Sequence, residues 1–163
     1  MGRRFWIVTA VLAALVLAGS SIYIYLQIYP PLAVASTYSS GDRDDVVMEI
    51  GNSGIRTIEL ETVEVNGTAP EEAHLQRIDP AEEQLALIGS ATDADGEFLS
   101  LQGAVLETDT SPRSVRRRVE NGSSSGAESL YGLGLAMDEA IETVWIRYRY
   151  FGIPLEQTIE VQR

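Results

Sequence analysis

The strongest chemical signal in the sequence is a run of arginines in an otherwise acidic region. Arg113, Arg116, Arg117 and Arg118 fall within six residues. Guanidinium groups bind phosphates and carboxylates in bidentate fashion, so the run predicts a site for an anionic partner such as outer-leaflet headgroups, a phosphate-rich polymer or an acidic protein. The alternative is that these charges neutralise the domain's own acids or are solvated in a loop, as isolated charge runs usually are.

The residues around the arginines carry the signals of a short helix. Ser111 could cap its start, with Pro112 at the first helical position. Val115 and Val119 would then share one face at i, i+4 spacing, and Gly122 would follow the helix end. Without that helix, the composition of this part of the chain indicates a loop.

Candidate metal ligands are few. Asp93 and Asp95, followed by Gly96, resemble part of a calcium loop. In an EF-hand the first and twelfth positions would be Ala91 and Gln102, which supply neither required carboxylate. A hairpin turn explains the same residues without a metal, so weak calcium binding remains only an alternative.

The remaining chemistry-bearing residues form no recognisable constellation. His74 is the only histidine, and no nucleophile pattern surrounds it, which indicates a surface histidine rather than a catalytic base. Met48 and Met137 are too scattered to predict a copper site with it. Gly132 and Gly134 form half of a dinucleotide fingerprint without a βαβ unit, and indicate a loop. We therefore predict no enzyme, no cofactor and no metal centre.

The first element that must position these residues is an uncharged N-terminal segment. Residues 5–29 contain no charged side chain, and about 20 apolar residues suffice to span a bilayer as a helix. Arg3 and Arg4 precede the segment, whereas the next basic residue is Arg43. The positive-inside rule therefore predicts a cytoplasmic stub over 1–4 and an extracytoplasmic remainder.

Aromatic side chains lie where a spanning helix would place them. Trp6 lies near one end of the segment, and Tyr23, Tyr25 and Tyr29 cluster toward the other, as expected for the two interfaces of a bilayer. The alternative is a signal peptide cleaved after Ala35, which ends a small–x–small triplet. The apolar segment is longer than the 7–15 residues typical of a signal peptide, which favours an uncleaved anchor.

Composition narrows the remaining possibilities. The chain has 163 residues, and removing the first 29 leaves 134, enough for one domain with a hydrophobic core. That part carries 24 acidic against ten basic residues, a net charge of −14, which makes nucleic acid an unfavourable partner. The absence of cysteine excludes thiol nucleophiles, thiolate metal sites and disulfides.

Alternating apolar residues predict β-strands after the anchor. Alternation over 46–50 predicts a half-buried strand. A change of phase within 58–65 predicts either a bulge or a switch of sheet near Glu61 and Thr62, because one face cannot hold both apolar sets without an inserted residue. Asn66 and Gly67 predict a tight turn.

The second half of the chain is less regular until its end. Residues 71–78 fit either a short helix or a strand, and 85–88 and 97–106 predict strands. Alternation over 144–150 and 155–161 predicts a C-terminal hairpin, with its turn at Phe151, Gly152, Ile153 and Pro154.

These patterns predict a mainly β fold, an antiparallel β-sandwich over 41–163 with a long loop at 109–128. Residues 30–40 would form a stalk or a first edge strand. The blocks DVVMEIGNSGIRTIELETVEVNG, 45–67, and WIRYRYFGIPLEQTIEV, 145–161, resemble uncharacterised small membrane-anchored proteins of Gram-positive bacteria with an immunoglobulin-like ectodomain. The resemblance implies a fold and a place at the cell envelope, and implies no site residues.

Together these features predict a non-enzymatic, single-pass interaction module of the bacterial cell envelope. Its expected partners are the lipid bilayer, through the N-terminal helix, and another envelope protein or an anionic polymer. A ligand- or ion-binding ectodomain that uses the acidic turns or the arginine-rich loop is the alternative function.

Overall fold

The computed structural model describes residues 2–39, 44–78, 97–123 and 129–161. It divides into two compact units, Met1–Pro30 and Pro31–Arg163. The described elements, in chain order, are α1 (Arg3–Ile28), β1 (Leu32–Ser39), β2 (Asp45–Asn52), β3 (Ile58–Val65), β4 (Glu72–Ile78), β5 (Glu97–Leu99), β6 (Val105–Leu106), α2 (Pro112–Glu120), β7 (Leu130–Ala136), β8 (Thr143–Tyr150) and β9 (Ile153–Glu160).

The second unit contains two antiparallel sheets, which confirms the prediction of a mainly β fold. One sheet has the strand order β1-β2-β7-β4-β5, and the other has the order β6-β3-β8-β9. The first edge strand expected within 30–40 is β1, and the segment that fitted either a helix or a strand is β4. The expected strand over 85–88 lies outside the described residues.

Two local predictions from the second sheet are confirmed. The register between β3 and β8 shifts between Leu60 and Thr62, where the change of phase predicted a bulge. The C-terminal hairpin pairs Tyr150 with Ile153, so its turn is only Phe151 and Gly152, shorter than predicted. Its buried residues alternate as expected along β8, because one face of that strand packs into the core.

The predicted strand over 97–106 is wrong as a single element. β5 pairs with β4 in the first sheet, whereas β6 pairs with β3 in the second. Between them Gly103 has a φ of +77°, a conformation that favours glycine, and the chain turns from one sheet to the other there.

The strand β2 is buried on both faces, so the prediction of a half-buried strand is also wrong. It is paired with β1 along one of its edges and with β7 along the other, and α2 contacts β1, β2 and β7. Glu49, which alternation assigns to the solvent face, is consequently 1% exposed.

The glycines predicted to form a loop instead belong to β7, which lies in the middle of the first sheet. A Cβ atom built on Gly134 would lie 2.6 Å from the ring of His74, which is opposite it on β4. The strand therefore uses glycine to make room for an imidazole, a reason that only the neighbouring strand reveals.

Hydrogen bonds also join the two sheets. Asn52 in β2 donates from Nδ2 to the carbonyl oxygen of Leu106 in β6, at 3.2 Å. Tyr148 in β8 is buried and hydrogen-bonded to the backbone of Leu32 in β1; burial, opposed by that bond, raises the pKa of Tyr148 to about 12. These hydrogen bonds satisfy buried polar groups, which would destabilise the fold if they had no partner.

The strands give the second unit two distinguishable ends. We call one the Pro31 end: Ser53 donates from its backbone N–H to the carbonyl of Pro31, and the loop 53–57 and the turn at 151–152 lie there. We call the other the Asn66 end: Asn66 begins the turn after β3, and the loop 137–142 meets it.

Candidate functional site

The arginine-rich segment forms the predicted helix α2, with Ser111 at its N-cap position; the Ser111 side chain, however, makes no capping hydrogen bond. Pro112 occupies the first turn, where a missing N–H removes no helical hydrogen bond. At the other end Gly122 has a φ of +64°, its N–H bonds Val119, and Ser123 bonds Arg118. This pair of hydrogen bonds is the Schellman arrangement that ends helices at a left-handed glycine. The loop expected over 109–128 therefore contains a helix.

The helix is held on the first sheet by apolar contacts and an ion pair. Val115 is fully buried and clusters with Leu130, the first residue of β7. Beside it, Arg116 forms an ion pair and hydrogen bond with Glu49 of β2. Burial opposes charge on Arg116, but the bond to Glu49 and its negative charge outweigh that effect and raise the pKa of Arg116.

A second arginine serves the loop before α2. Arg118 donates to the carboxylate of Asp109 at 3.1 Å and to its carbonyl oxygen at 2.8 Å. Asp109 has a φ of +61°, a value that residues other than glycine rarely adopt. The guanidinium thus bridges both polar groups of a residue in a left-handed turn.

The four candidate arginines do not converge on one site. Arg116 points to Glu49 and Arg118 to Asp109, whereas Arg113 and Arg117 are exposed at i, i+4 spacing on the helix. Among the described residues, no ion pair involves Arg113 or Arg117. The sequence showed the cluster of arginines. It did not show which of them form ion pairs within the domain, because Glu49, the partner of Arg116, lies 67 residues away.

The other candidate residues do not form a chemical site together. His74 is half-buried on β4, and burial, opposed by Asp45 and Glu72, lowers its pKa. It is therefore less exposed than the surface histidine that the sequence predicted. Within the described ranges, no group of three His, Asp or Glu residues is arranged to hold a metal ion. Asp93 and Asp95 lie outside those ranges.

A cleft of about 460 Å³ lies between the two sheets' edge strands β1 and β9. Thr37 and Gln157 line it, together with Val34, Ala35, Thr158, Ile159 and Glu160. The Oε1 atom of Gln157 is buried and has no hydrogen-bond partner among the described residues.

A surface that sequence analysis missed lies at the Pro31 end. Ile55 is 82% exposed and Phe151 is 56% exposed, the former in the loop after β2 and the latter in the turn after β8. Tyr150 joins them: its hydroxyl accepts a hydrogen bond from the Ile55 N–H at 3.1 Å, and its ring meets that of Phe151 edge-on at 4.8 Å. Arg56 lies over the Phe151 ring at 5.9 Å, within cation–π range. We call Ile55, Arg56 and Phe151 the Pro31-end patch.

In the first unit, the helix α1 has the properties predicted for residues 5–29. Its segment Phe5–Ile28 has a mean hydropathy of 2.3, and none of it is buried inside the protein. It is long and apolar enough to cross a bilayer, a property that a signal sequence near the N-terminus shares. Trp6, Tyr23 and Tyr25 lie on this helix, and Tyr29 follows it; Arg3 and Arg4 begin it.

Comparisons with protein-family models, with curated proteins and with solved structures found no match to this chain. Its function must therefore be argued from its own residues.

Proposed function

We propose that this protein is a non-enzymatic interaction module of the bacterial cell envelope, in which α1 remains as a single transmembrane anchor and the β domain is extracytoplasmic. The observation that carries the proposal is the combination of a fully exposed apolar helix with a separate, acidic β unit. An exposed apolar surface of that length has no stable place in water, whereas a bilayer accepts it.

The strand that follows α1 favours an uncleaved anchor. Leu32 is 1% exposed and pairs with Asn52, so β1 belongs to the folded core from its first residue. Cleavage after Ala35 would remove the first half of β1, including this buried leucine, and a signal peptide normally ends before the folded domain begins.

The strand order supports an immunoglobulin-like sandwich as the architecture of the module. In immunoglobulin constant-type domains, strands A, B, E and D form one sheet, and C, F and G form the other. The neighbours β1-β2-β7-β4 and β3-β8-β9 fill those places with A to G in chain order. Such domains commonly present loops and edge strands to other proteins, which agrees with a role in contact rather than catalysis.

Cysteine labelling would test the topology, because the chain has no native cysteine. We expect Ala69→Cys, in the exposed segment after the Asn66 turn, to react with a membrane-impermeant maleimide in intact cells. Gly2→Cys should react only after lysis. The reverse pattern would overturn the orientation, and loss of residues 1–35 from the mature protein, measured by mass spectrometry, would overturn the uncleaved anchor.

The second candidate function, a ligand-binding ectodomain, is favoured by the exposed pair Arg113 and Arg117. These guanidinium groups could bind an anionic polymer or an acidic protein surface without disturbing the ion pairs of Arg116 and Arg118. We expect Arg113→Gln/Arg117→Gln to weaken capture of an anionic wall polymer, while the charge-matched control Arg147→Gln/Arg149→Gln does not. Equal loss in both variants would indicate only a change in net charge.

A further inference from the structure

The Pro31-end patch exposes apolar side chains that the fold of the domain does not use. Ile55 contributes a backbone hydrogen bond to Tyr150, but its side chain is among the most exposed hydrophobic groups of the second unit. Exposed apolar groups that adjoin one another mark contact surfaces more often than isolated ones do. The backbone N–H of Ile55 bonds Tyr150, whose ring contacts Phe151, and Arg56 lies over the Phe151 ring.

Phe151 is also held in a conformation that its side chain disfavours. Its φ is +53°, and that of Gly152 is +73°, so both central residues of the turn are left-handed. Such turns prefer Asn-Gly or Gly-Gly, and a bulky residue at a positive φ is strained. An exposed aromatic residue kept at a strained position indicates a use outside the folding of the domain.

The position of the patch limits what it can meet. Pro31, hydrogen-bonded to Ser53, is separated from the last residue of α1, Ile28, by only two residues. Three Cα-to-Cα steps of about 3.8 Å reach roughly 11 Å at most. If α1 spans a bilayer, chain continuity alone keeps Pro31 close to the headgroups, whatever the angle between helix and domain.

An end of the domain that lies near an anionic membrane should carry fewer acidic groups than the opposite end, and the two ends differ in this way. At the Asn66 end, the described residues include no arginine and eight acids: Asp44, Asp45, Glu71, Glu72, Asp138, Glu139, Glu142 and Glu160. At the Pro31 end the described acids include Glu59, Glu107 and Asp109, fewer than at the Asn66 end; Asp109 is paired with Arg118, and Arg56 belongs to the patch. An anionic membrane surface repels the first end and attracts an exposed arginine.

We propose that the Pro31-end patch docks on the lipid bilayer, with Ile55 and Phe151 entering the interface and Arg56 contacting anionic headgroups. This inference rests on the proposed function, because it needs α1 in the same membrane. Aliphatic and aromatic side chains beside a basic group are the composition that interfacial segments use. Docking would restrict the angle of the acidic domain to the membrane and direct its Asn66 end away from the lipid.

The test uses the full chain in vesicles of phosphatidylcholine and phosphatidylglycerol, with an environment-sensitive fluorophore on a single introduced cysteine. Ile55→Cys and Phe151→Cys report on the patch, and Ala69→Cys at the Asn66 end is the matched control. We expect blue-shifted emission at 55 and 151, quenched by nitroxide-labelled lipid and protected from iodide. The probe at 69 should show the opposite response. Replacing phosphatidylglycerol with phosphatidylcholine should weaken the effect at 55 and 151.

Co-flotation of the same samples separates the two proposals. If the chain floats with the vesicles but the probes at 55 and 151 remain in water, docking is wrong and the anchor stands. If the chain does not float, the anchor itself is wrong. Probes protected from iodide but unreachable by the nitroxide lipid would assign the patch to a protein partner or a second copy, and would overturn the lipid assignment. Lipid quenching at all three positions would overturn it as unspecific adsorption.

Discussion

Two turns with the same pair of positive φ angles lie at opposite ends of the domain and use different side chains. At the Asn66 end, Asn66 and Gly67 have φ values of +51° and +83°; at the Pro31 end, Phe151 and Gly152 have +53° and +73°. Each turn closes between antiparallel partners. The backbone requirement is therefore the same, and only the first turn has the residue type that satisfies it best.

The two first residues of the turns differ in what they contact. The Asn66 side chain accepts hydrogen bonds from the N–H groups of Glu142 and Thr143 and donates to the carbonyl of Ala140. It joins the β3 turn to the loop before β8. Phe151 contacts Tyr150 and Arg56 with part of its ring and exposes the rest. One turn is therefore adapted to the fold, whereas the other retains a strained residue on an exposed surface.

The largest expected effect is at the Asn66 turn. Asn66→Ala removes four side-chain hydrogen bonds, one of them a long contact of 3.4 Å to Glu139, and leaves an alanine at a positive φ, so we expect a loss of about 3 kcal/mol in the free energy of unfolding. Chemical denaturation would measure it. The control is Asn121→Ala, an exposed asparagine at the end of α2, which should change stability by less than about 0.5 kcal/mol. Equal effects would remove the special role of Asn66.

The next effect tests how the Pro31 end is held. A Cβ atom on Gly54 would lie 2.5 Å from the hydroxyl oxygen of Tyr150, so Gly54→Ala should destabilise the domain by about 2 kcal/mol through overpacking. Tyr150→Phe removes that oxygen and so relieves part of the clash, while the ring carbons Cζ and Cε2 stay at 2.8 and 2.9 Å from the added Cβ. In a double-mutant cycle the two changes should be less than additive. Strict additivity would show that the loop is not positioned by this tyrosine.

Replacing the strained residue should have a smaller effect of the opposite sign. Phe151→Asn gives the turn its preferred sequence, worth about 1 kcal/mol, and loses part of an edge contact with Tyr150, so we expect a net gain near 0.5 kcal/mol. The same variant should lose the membrane signal of the patch. A loss of more than about 1 kcal/mol in thermal unfolding would show that Phe151 serves the fold, and would end the contrast between the turns.

The smallest effect concerns pH at the Asn66 end. Partial desolvation, followed by repulsion from Asp138 and Glu72, raises the pKa of Glu71 above 4.5 in the folded state. A folded-state pKa above the unfolded value means that the folded protein binds the proton more tightly. Stability should therefore rise slightly as pH falls through the raised pKa and stop rising below 4.5. Glu71→Gln should abolish this slope, measured by denaturation across pH.

Sequence reasoning succeeded where the cause is local. The turn at Asn66 and Gly67 follows from residue preferences within two positions, and the bulge near Glu61 follows from the phase of its neighbours. It failed where the cause is a distant strand. Gly134 lies in a strand, and its missing side chain leaves room for His74 on the neighbouring strand. No local sequence pattern reveals that neighbour.

The candidate site shows the same division. The helix around the arginines was predictable from Pro112 and Gly122, because caps are local signals. The division of the four arginines was not, since Glu49 and its burial arise only when β2 and α2 meet. The Pro31-end patch was also not predictable, because it forms only when two distant loops meet. Ile55 and its partner Tyr150 are 95 residues apart in the sequence.

The course of β1 and β9 has a mechanical consequence. The strand β1 starts at the Pro31 end and β9 finishes at the Asn66 end, each on the edge of its sheet. Tension that pulls Leu32 and Glu160 apart runs along both strands, while the hydrogen bonds to β2 and β8 lie across them. The load is shared by a whole ladder of hydrogen bonds in shear, and these bonds do not open one after another. The domain should therefore resist stretching as a unit.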